Sequence, residues 1–149
     1  MTETNKRVDF RVAASRHYQD GELLMENARH ANAGQLFGFA AECGLKWLLV
    51  WKGYPTDPVS GEILEKKKKF RVHIHELVKN ITMVQAFLDG RGASKYLAML
   101  PSIDTFSDWK TDHRYFIESA LPPSLSNWRT TAHEIMKMFD EANLDGETT

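Results

Sequence analysis

Residues 38–49 read GFAAECGLKWLL, a nearly unbroken apolar run with two charged residues, Glu42 and Lys46, near its middle. The run belongs to a longer segment, 31–52, in which polar residues recur too often for a membrane span of about 20 apolar residues. In an α-helix, a glutamate four positions before a lysine lies on the same face, so the two side chains can pair. The remaining circumference is apolar. We therefore predict a core helix that contacts other helices on most of its sides.

The overall composition indicates a single domain, residues 1–149, that is large enough to bury a core. The net charge of −1 provides no overall basic field that would attract nucleic acid, so such a contact requires a local patch. Cys43 is the only cysteine, which excludes an intramolecular disulfide and favours a buried thiol in a reducing compartment. The first ten residues contain no apolar signal region. We predict a cytoplasmic protein that does not associate with membranes.

Apolar residues spaced three and four apart predict four helices and a shorter fifth one. The first is expected at 9–29 with Asp9 as N-cap, and the second at 32–52 with Asn32 as N-cap. The other three are expected at 75–90, at 94–100 with Ser94 as N-cap, and from about Leu125, with Ser124 or Ser126 as N-cap and Gly146 past the end.

The predicted fold is therefore all-α, a bundle of four or five helices packed mostly antiparallel, because most of the links are short. A loop insertion is expected at about 53–72, where prolines, glycines and a lysine run occur together. Such a long connection is usually functional or mobile. Residues 103–124 show no clear periodicity, and a flexible tail is expected at about 144–149.

Four motifs occur in a recognisable order: RHYQDGELL, ANAGQLFGFAAECGLKWLL, HIHEL, and WKTDHRYF before a final amphipathic helix. Together, over roughly residues 9–143, they resemble the HEPN domain, a small helical bundle. The resemblance implies a homodimeric HEPN-like protein, often encoded beside a nucleotidyltransferase-type partner. It also implies a role in toxin-antitoxin or defence systems, through RNA cleavage or through nucleotide binding.

HEPN ribonucleases use an arginine, four to six residues and then a histidine, near the last helices of the bundle. An imidazole can move a proton and a guanidinium can bind the phosphate, which suits RNA cleavage. The single match is Arg11 with His17, in the first helix, and a solvated surface is the alternative interpretation. Arg129 and His133, on the last helix, have only three residues between them. We therefore predict no metal-independent RNA cleavage, with a ribonuclease toxin as the alternative.

The segment WKTDHRYF places an aromatic ring, a carboxylate, an imidazole and a guanidinium close together. One interpretation is a pocket for a nucleotide or RNA, in which rings stack on a base and the arginine contacts phosphate. In the other, Trp109 and Tyr115 anchor the core, while Arg114 caps helix carboxyl ends and pairs with an acid such as Glu42. The candidate residues are Trp109, Asp112, His113, Arg114 and Tyr115, together with Glu42 and Lys46.

Glu42 and Lys46 have two interpretations of their own. Either they form a helix-face ion pair at the rim of the core, or Glu42 lies in the bundle interior and orients a cation such as Arg114.

The only basic cluster lies in the predicted loop. It is either a solvated surface or a set of phosphate contacts, and its members are Lys66, Lys67, Lys68, Lys69 and Arg71. Just after it, His73 and His75 are two residues apart, a spacing that needs an extended backbone to share a metal. We predict no metal site and no cofactor.

The leading hypothesis is a HEPN-like homodimeric binding module for a nucleotide, RNA or a nucleotidyltransferase-type partner. The alternatives are the ribonuclease toxin and a scaffold subunit without a ligand.

Overall fold

The computed structural model describes residues 6–146, and within this range the protein is all-α. Residues 6–146 contain six α-helices, three short 3-10 helices and no β-strand, apart from one isolated bridge between Thr56 and Ile63. The α-helices are α1 (Phe10–Glu26), α2 (His30–Trp51), α3 (Ile74–Lys79), α4 (Ile81–Asp89), α5 (Ser94–Leu97) and α6 (Leu125–Leu144). The 3-10 helices are Ile103–Asp108, Thr111–Tyr115 and Glu118–Ala120.

The turn between the first two helices differs from the prediction. Asp9 caps α1 as predicted, because its carboxylate accepts a hydrogen bond from the Val12 backbone N–H at 3.1 Å. Asn32 is not the N-cap of α2, since that helix already begins at His30. The reason lies in Ala28, whose φ of 57° turns the chain early.

The predicted helix at 75–90 is divided in two at Asn80. The backbone of Asn80 leaves the helical region, and its side-chain amide donates a 2.8 Å hydrogen bond to the carbonyl of Lys69. Asparagine favours helix ends because its side chain competes for backbone groups. The prediction of Ser94 as an N-cap is also wrong, because Ser94 is the first residue of α5 and Ala93 precedes it.

The last helix matches its predicted limits, with Ser124 at the N-cap position and Gly146, at φ 88°, just past the end. The Ser124 hydroxyl, however, donates to the Asp108 carboxylate at 2.6 Å, and its oxygen accepts no hydrogen bond from the N–H groups of the helix. The segment expected as a flexible tail overlaps this helix, which reaches Leu144. Just after the helix, the Asp145 carboxylate forms an ion pair with Lys95, whose Nζ atom lies 2.7 Å from Oδ2. Residues 147–149 of that segment lie outside the described range.

Helices α1, α2 and α6 form the centre of the molecule. α1 runs antiparallel to α2, because Phe10 near its start lies by Lys46 and Tyr18 near its middle lies by Phe37. Helix α6 is also antiparallel to α1, since Glu22 pairs with Arg129 and Arg11 with Asn143.

The third pair, α2 and α6, is parallel. Gly34 contacts Trp128 near the two helix starts, and Trp47 packs edge-on against Phe139 further along. Three helices that all pack against one another cannot all be antiparallel. The long segment between α2 and α6, residues 52–124, is the crossover segment, and its length makes the parallel pairing possible.

Helix α2 is the central element, as its apolar sequence predicts. Twelve of its 22 residues are buried, on faces that contact α1, α6 and the crossover segment. A Cβ on Gly44 would lie 2.5 Å from Ile135, so the small residue allows α6 to approach closely. No helix in the described range is long and apolar enough to cross a membrane.

The segment predicted as a loop insertion, 53–72, contains no helix. Ile63 and Phe70 from this segment are nevertheless buried in the core, and Tyr54 packs edge-on against Phe70 at 5.0 Å between ring centroids. The middle and the last part of the loop are therefore anchored in the core, and Tyr54 at its start packs against the same anchor, Phe70.

Candidate functional site

Glu42 and Lys46 form the ion pair that their spacing predicts. The Glu42 Oε2 atom lies 2.9 Å from Lys46 Nζ, and the two side chains are only 12% and 8% exposed. The second carboxylate oxygen, Oε1, lies 3.0 Å from Nδ1 of His73. A nearly buried carboxylate thus holds a lysine and orients an imidazole that reaches the surface.

A surface cavity of about 290 Å³ opens over this ion pair. The cavity is lined by Glu42, Lys46 and His73. Two members of the basic cluster, Lys68 and Arg71, also line it. Val72 and Glu76 complete the lining. The lining has three cationic side chains and two carboxylates, so positive charge is in excess even before His73 is counted.

The carboxylate of Glu65 fixes the conformation of the basic loop. It accepts hydrogen bonds from the backbone N–H groups of Lys69 at 3.2 Å, Phe70 at 3.1 Å and Arg71 at 2.9 Å. The hydroxyl of Tyr54 donates to the same carboxylate, and burial together with this carboxylate raises the pKa of Tyr54 to about 12. A single acidic side chain thereby positions the loop that carries Lys68 and Arg71.

The five basic residues predicted as phosphate ligands do not form one patch. Lys66, Lys67 and Lys69 line a second cavity of about 360 Å³ beside Tyr54 and Glu65, whereas Lys68 and Arg71 line the cavity over Glu42. Arg71 also approaches Glu62, with its Nε atom 3.9 Å from the carboxylate.

The WKTDHRYF segment divides into buried and exposed residues. Trp109 is fully buried, and its Nε1 donates a 2.9 Å hydrogen bond to the carbonyl of Gly34. His113 is also buried and stacks on Trp128, and this burial lowers its pKa. Trp109 is a core anchor, as the second interpretation of this segment expects. Tyr115, the other ring that this interpretation assigns to the core, is 74% exposed, so that part of the interpretation is wrong.

The other three candidates in the segment, Asp112, Arg114 and Tyr115, are exposed. Arg114 does not pair with Glu42 among the described residues; that carboxylate contacts Lys46 and His73 instead. The Arg114 guanidinium lies instead over the ring of Tyr115, 4.9 Å from its centroid. The expectation that Arg114 pairs with Glu42 is therefore wrong.

The only arginine-histidine pair at HEPN spacing is not brought together. Arg11 hydrogen-bonds Asn143 and lies over the rings of Trp47 and Phe139, so it faces α6. His17 packs against Phe39 of α2 at 5.6 Å, and burial, together with Arg16, lowers its pKa. Since Trp47 and Phe39 are eight residues apart, the two side chains meet α2 at points roughly 12 Å apart along its axis.

The second candidate pair, Arg129 and His133, fastens α6 to α1. Arg129 forms two hydrogen bonds with the Glu22 carboxylate, at 2.5 and 3.0 Å. The Nδ1 atom of His133 lies 3.0 Å from the hydroxyl of Tyr18. These contacts give both residues a structural role in the association of the two helices.

Sequence reasoning did not identify His73 as a site residue. Its partner Glu42 lies 31 positions earlier, so no local spacing within the HIHE motif indicates the contact. No group of three or more histidine, cysteine or acidic residues within 6–146 could hold a metal ion. Burial raises the pKa of the Cys43 thiol to about 12, so this thiol stays protonated at neutral pH.

The cavity over Glu42 is thus the place where separately predicted ligand candidates meet. Lys46 comes from α2, while Lys68 and Arg71 come from the loop. The resemblance to HEPN domains rests on the quoted sequence motifs. Comparison of this chain with protein-family models, with curated proteins and with solved structures found no match.

Proposed function

We propose that the protein is a HEPN-like cytoplasmic binding module for a phosphate-bearing ligand, RNA in the first place. The observation that carries the proposal is the cavity in which Lys68 and Arg71 stand over the Glu42–Lys46 pair. Arginine and lysine are the usual protein partners of phosphate, and the excess of positive charge in the lining favours an anion.

The loop conformation supports RNA over a small free anion. Glu65 holds the backbone of residues 69–71, so less backbone entropy is lost when a ligand binds this part of the loop. Lys66 and Lys67 line the neighbouring cavity, so a strand long enough to leave the cavity over Glu42 would have further cations of the same loop to contact. The His73 ring, about half exposed, is available for stacking on a base.

A pair of double variants with equal charge changes tests the proposal. Lys68→Ala with Arg71→Ala should weaken binding of a single-stranded RNA and reduce the slope of log affinity against log salt by about 1.4. The matched control, Lys66→Ala with Lys67→Ala, removes the same charge from the neighbouring cavity and should have a smaller effect. Equal losses for the two variants would indicate a diffuse charge effect and exclude the cavity as the site.

The proposal includes a homodimer, whose face we assign to the exposed apolar run Tyr115–Ile117. The side chains of Tyr115 and Ile117 are 74% and 72% exposed, an unusual arrangement for adjacent large apolar residues. Light scattering at micromolar concentration should give twice the chain mass, and Ile117→Glu should give a monomer. A monomer mass for the unmodified protein would exclude the dimer.

A nucleotidyltransferase-type partner and a toxin-antitoxin or defence role belong to the same proposal, through the HEPN resemblance alone. Co-purification with the product of a neighbouring nucleotidyltransferase gene tests them. A protein that binds neither RNA nor such a partner would instead be a scaffold subunit.

Metal-independent RNA cleavage is the second candidate function, and the geometry of His73 favours it. An imidazole oriented by the Glu42 carboxylate, next to Lys46, has the arrangement of a general acid-base group beside a phosphate ligand. We nevertheless expect no cleavage, because the arginine-histidine pairs Arg11/His17 and Arg129/His133 do not form such a centre. Cleavage that is lost in His73→Ala would reverse this expectation and assign the histidine.

A further inference from the structure

Two adjoining cavities meet at Arg114, on the surface around the start of α2 and separate from the cavity over Glu42. Arg114 and Asn32 line both cavities. The first cavity, of about 290 Å³, is completed by Leu24, Gln35, Leu36 and Phe39. The second, of about 270 Å³, is completed by Ala28, Arg29, Ala31 and Glu118. One half of this groove is therefore mainly apolar and the other half is charged.

Gln35 gives the apolar half an unused hydrogen-bond acceptor. Its side chain is only 6% exposed, and its Nε2 donates a 2.7 Å hydrogen bond to the carbonyl of Lys110. A carbonyl only accepts, so this bond fixes the orientation of the amide and assigns the other atom as oxygen. That oxygen, Oε1, has no hydrogen-bond partner in the described part of the chain. Because Gln35 lines this cavity, a ligand whose N–H donor reaches this buried oxygen would satisfy it.

The charged half of the groove is suited to an anion. Arg29 and Arg114 both line it, and Arg29 is the N-cap residue of α2 without a side-chain hydrogen bond to the helix. The backbone N–H groups in the first turn of such a long helix add partial positive charge. Glu118 is the one carboxylate that lines this half, and it pairs with His30 at 3.0 Å.

We infer that this groove binds a small amphipathic anion, a flat apolar ring that carries an N–H donor at one end and a phosphate or carboxylate group at the other. The ring lies against Leu24, Leu36 and Phe39 with its N–H toward Gln35. The anionic group lies between Arg29 and Arg114. None of these residues lines the cavity over Glu42, so the inference is independent of the proposed RNA site.

Titration calorimetry with two probes tests the inference and distinguishes the source of the anion. The probes are adenosine 5′-monophosphate and indole-3-acetate, and their matched analogues without the anionic group are adenosine and 3-methylindole. Arg114→Ala should weaken binding of the active probe by about tenfold or more, as expected for the loss of a charge-assisted hydrogen bond. Binding of the uncharged analogue should change little. Preference for one probe identifies a phosphate or a carboxylate as the recognised group.

A second comparison tests the role of Gln35. For indole-3-acetate, methylation of the ring nitrogen removes the N–H donor and should weaken binding to the unmodified protein. The same methylation should make little difference in Gln35→Met, in which the amide is absent. Where adenosine 5′-monophosphate is the active probe, N6,N6-dimethylation serves the same purpose.

Two controls keep these outcomes clear. Arg114 is exposed, so Arg114→Ala should melt at the temperature of the unmodified protein. Lys68→Ala with Arg71→Ala should bind the probes unchanged, because both residues lie in the other cavity. The inference is overturned when neither probe binds at millimolar concentration, when Arg114→Ala leaves the affinity unchanged, or when only the Lys68/Arg71 variant weakens it.

Discussion

The indole ring of Trp109 occupies the space that a side chain on Gly38 would need. A Cβ built on Gly38 would lie 2.2 Å from the Nε1 atom of Trp109, far inside van der Waals contact. The same Nε1 donates its hydrogen bond to the carbonyl of Gly34, one turn earlier on α2. The crossover segment therefore packs on α2 through the Trp109 ring. This close contact requires glycine at position 38 of α2.

Gly38→Ala should destabilise the protein by about 1–3 kcal/mol, as expected for overpacking, because the buried ring cannot move aside freely. Urea unfolding measures the change. Gly90→Ala is the matched control, since Gly90 has helical backbone angles and a Cβ there would meet nothing closer than 3.6 Å. Equal stability of the two variants would show that Trp109 is free to shift.

Breaking the Glu42–Lys46 pair from one side should cost more than removing it entirely. Glu42→Gln leaves a nearly buried ammonium without its anion, which should lower the unfolding free energy by roughly 3 kcal/mol. The double variant Glu42→Gln with Lys46→Met should regain more than half of this loss. A double-mutant cycle by urea unfolding gives the coupling energy. Additive single losses would contradict a buried, coupled pair.

Glu65 should control the order of the basic loop. In Glu65→Ala the backbone N–H groups of Lys69, Phe70 and Arg71 lose their common acceptor, and their amide hydrogen exchange should become much faster. Mass spectrometry of the exchanged peptides measures this effect. Glu76→Ala, which removes an exposed carboxylate nearby, serves as the control. Unchanged exchange at residues 69–71 would mean that other contacts fix the loop.

Stability should fall at acidic pH in part because His113 is buried. Burial lowers its pKa below the ordinary value of 6.5, so the unfolded chain takes up the proton first. The unfolding free energy therefore decreases as the pH falls below about 6.5 toward the lowered folded value. His113→Phe keeps an aromatic ring against Trp128 and should reduce the dependence between pH 7 and 5, measured by urea unfolding. An undiminished dependence in this variant would assign the effect to other groups, among them His17, whose pKa burial also lowers.

Local spacing alone determined several features of this protein. The Glu42–Lys46 pair, the Asp9 cap and the limits of α6 follow from helical periodicity and from residues within one turn of each other. These interactions require only that a helix forms, and long amphipathic helices carry a strong periodic signal.

The tertiary structure decided which side chains share a site. His73 contacts Glu42, which lies 31 positions earlier in the sequence. Lys68 and Arg71 line one cavity, whereas Lys66 and Lys67 line another. In a loop without regular secondary structure, the spacing of residues in the sequence does not indicate which cavity each side chain lines. The 3-10 helices are too short to show a periodic pattern of apolar residues. The burial of His113 and the exposure of Arg114 could therefore not be predicted. Those placements depend on how the crossover returns over α2, which long-range packing determines and local sequence does not.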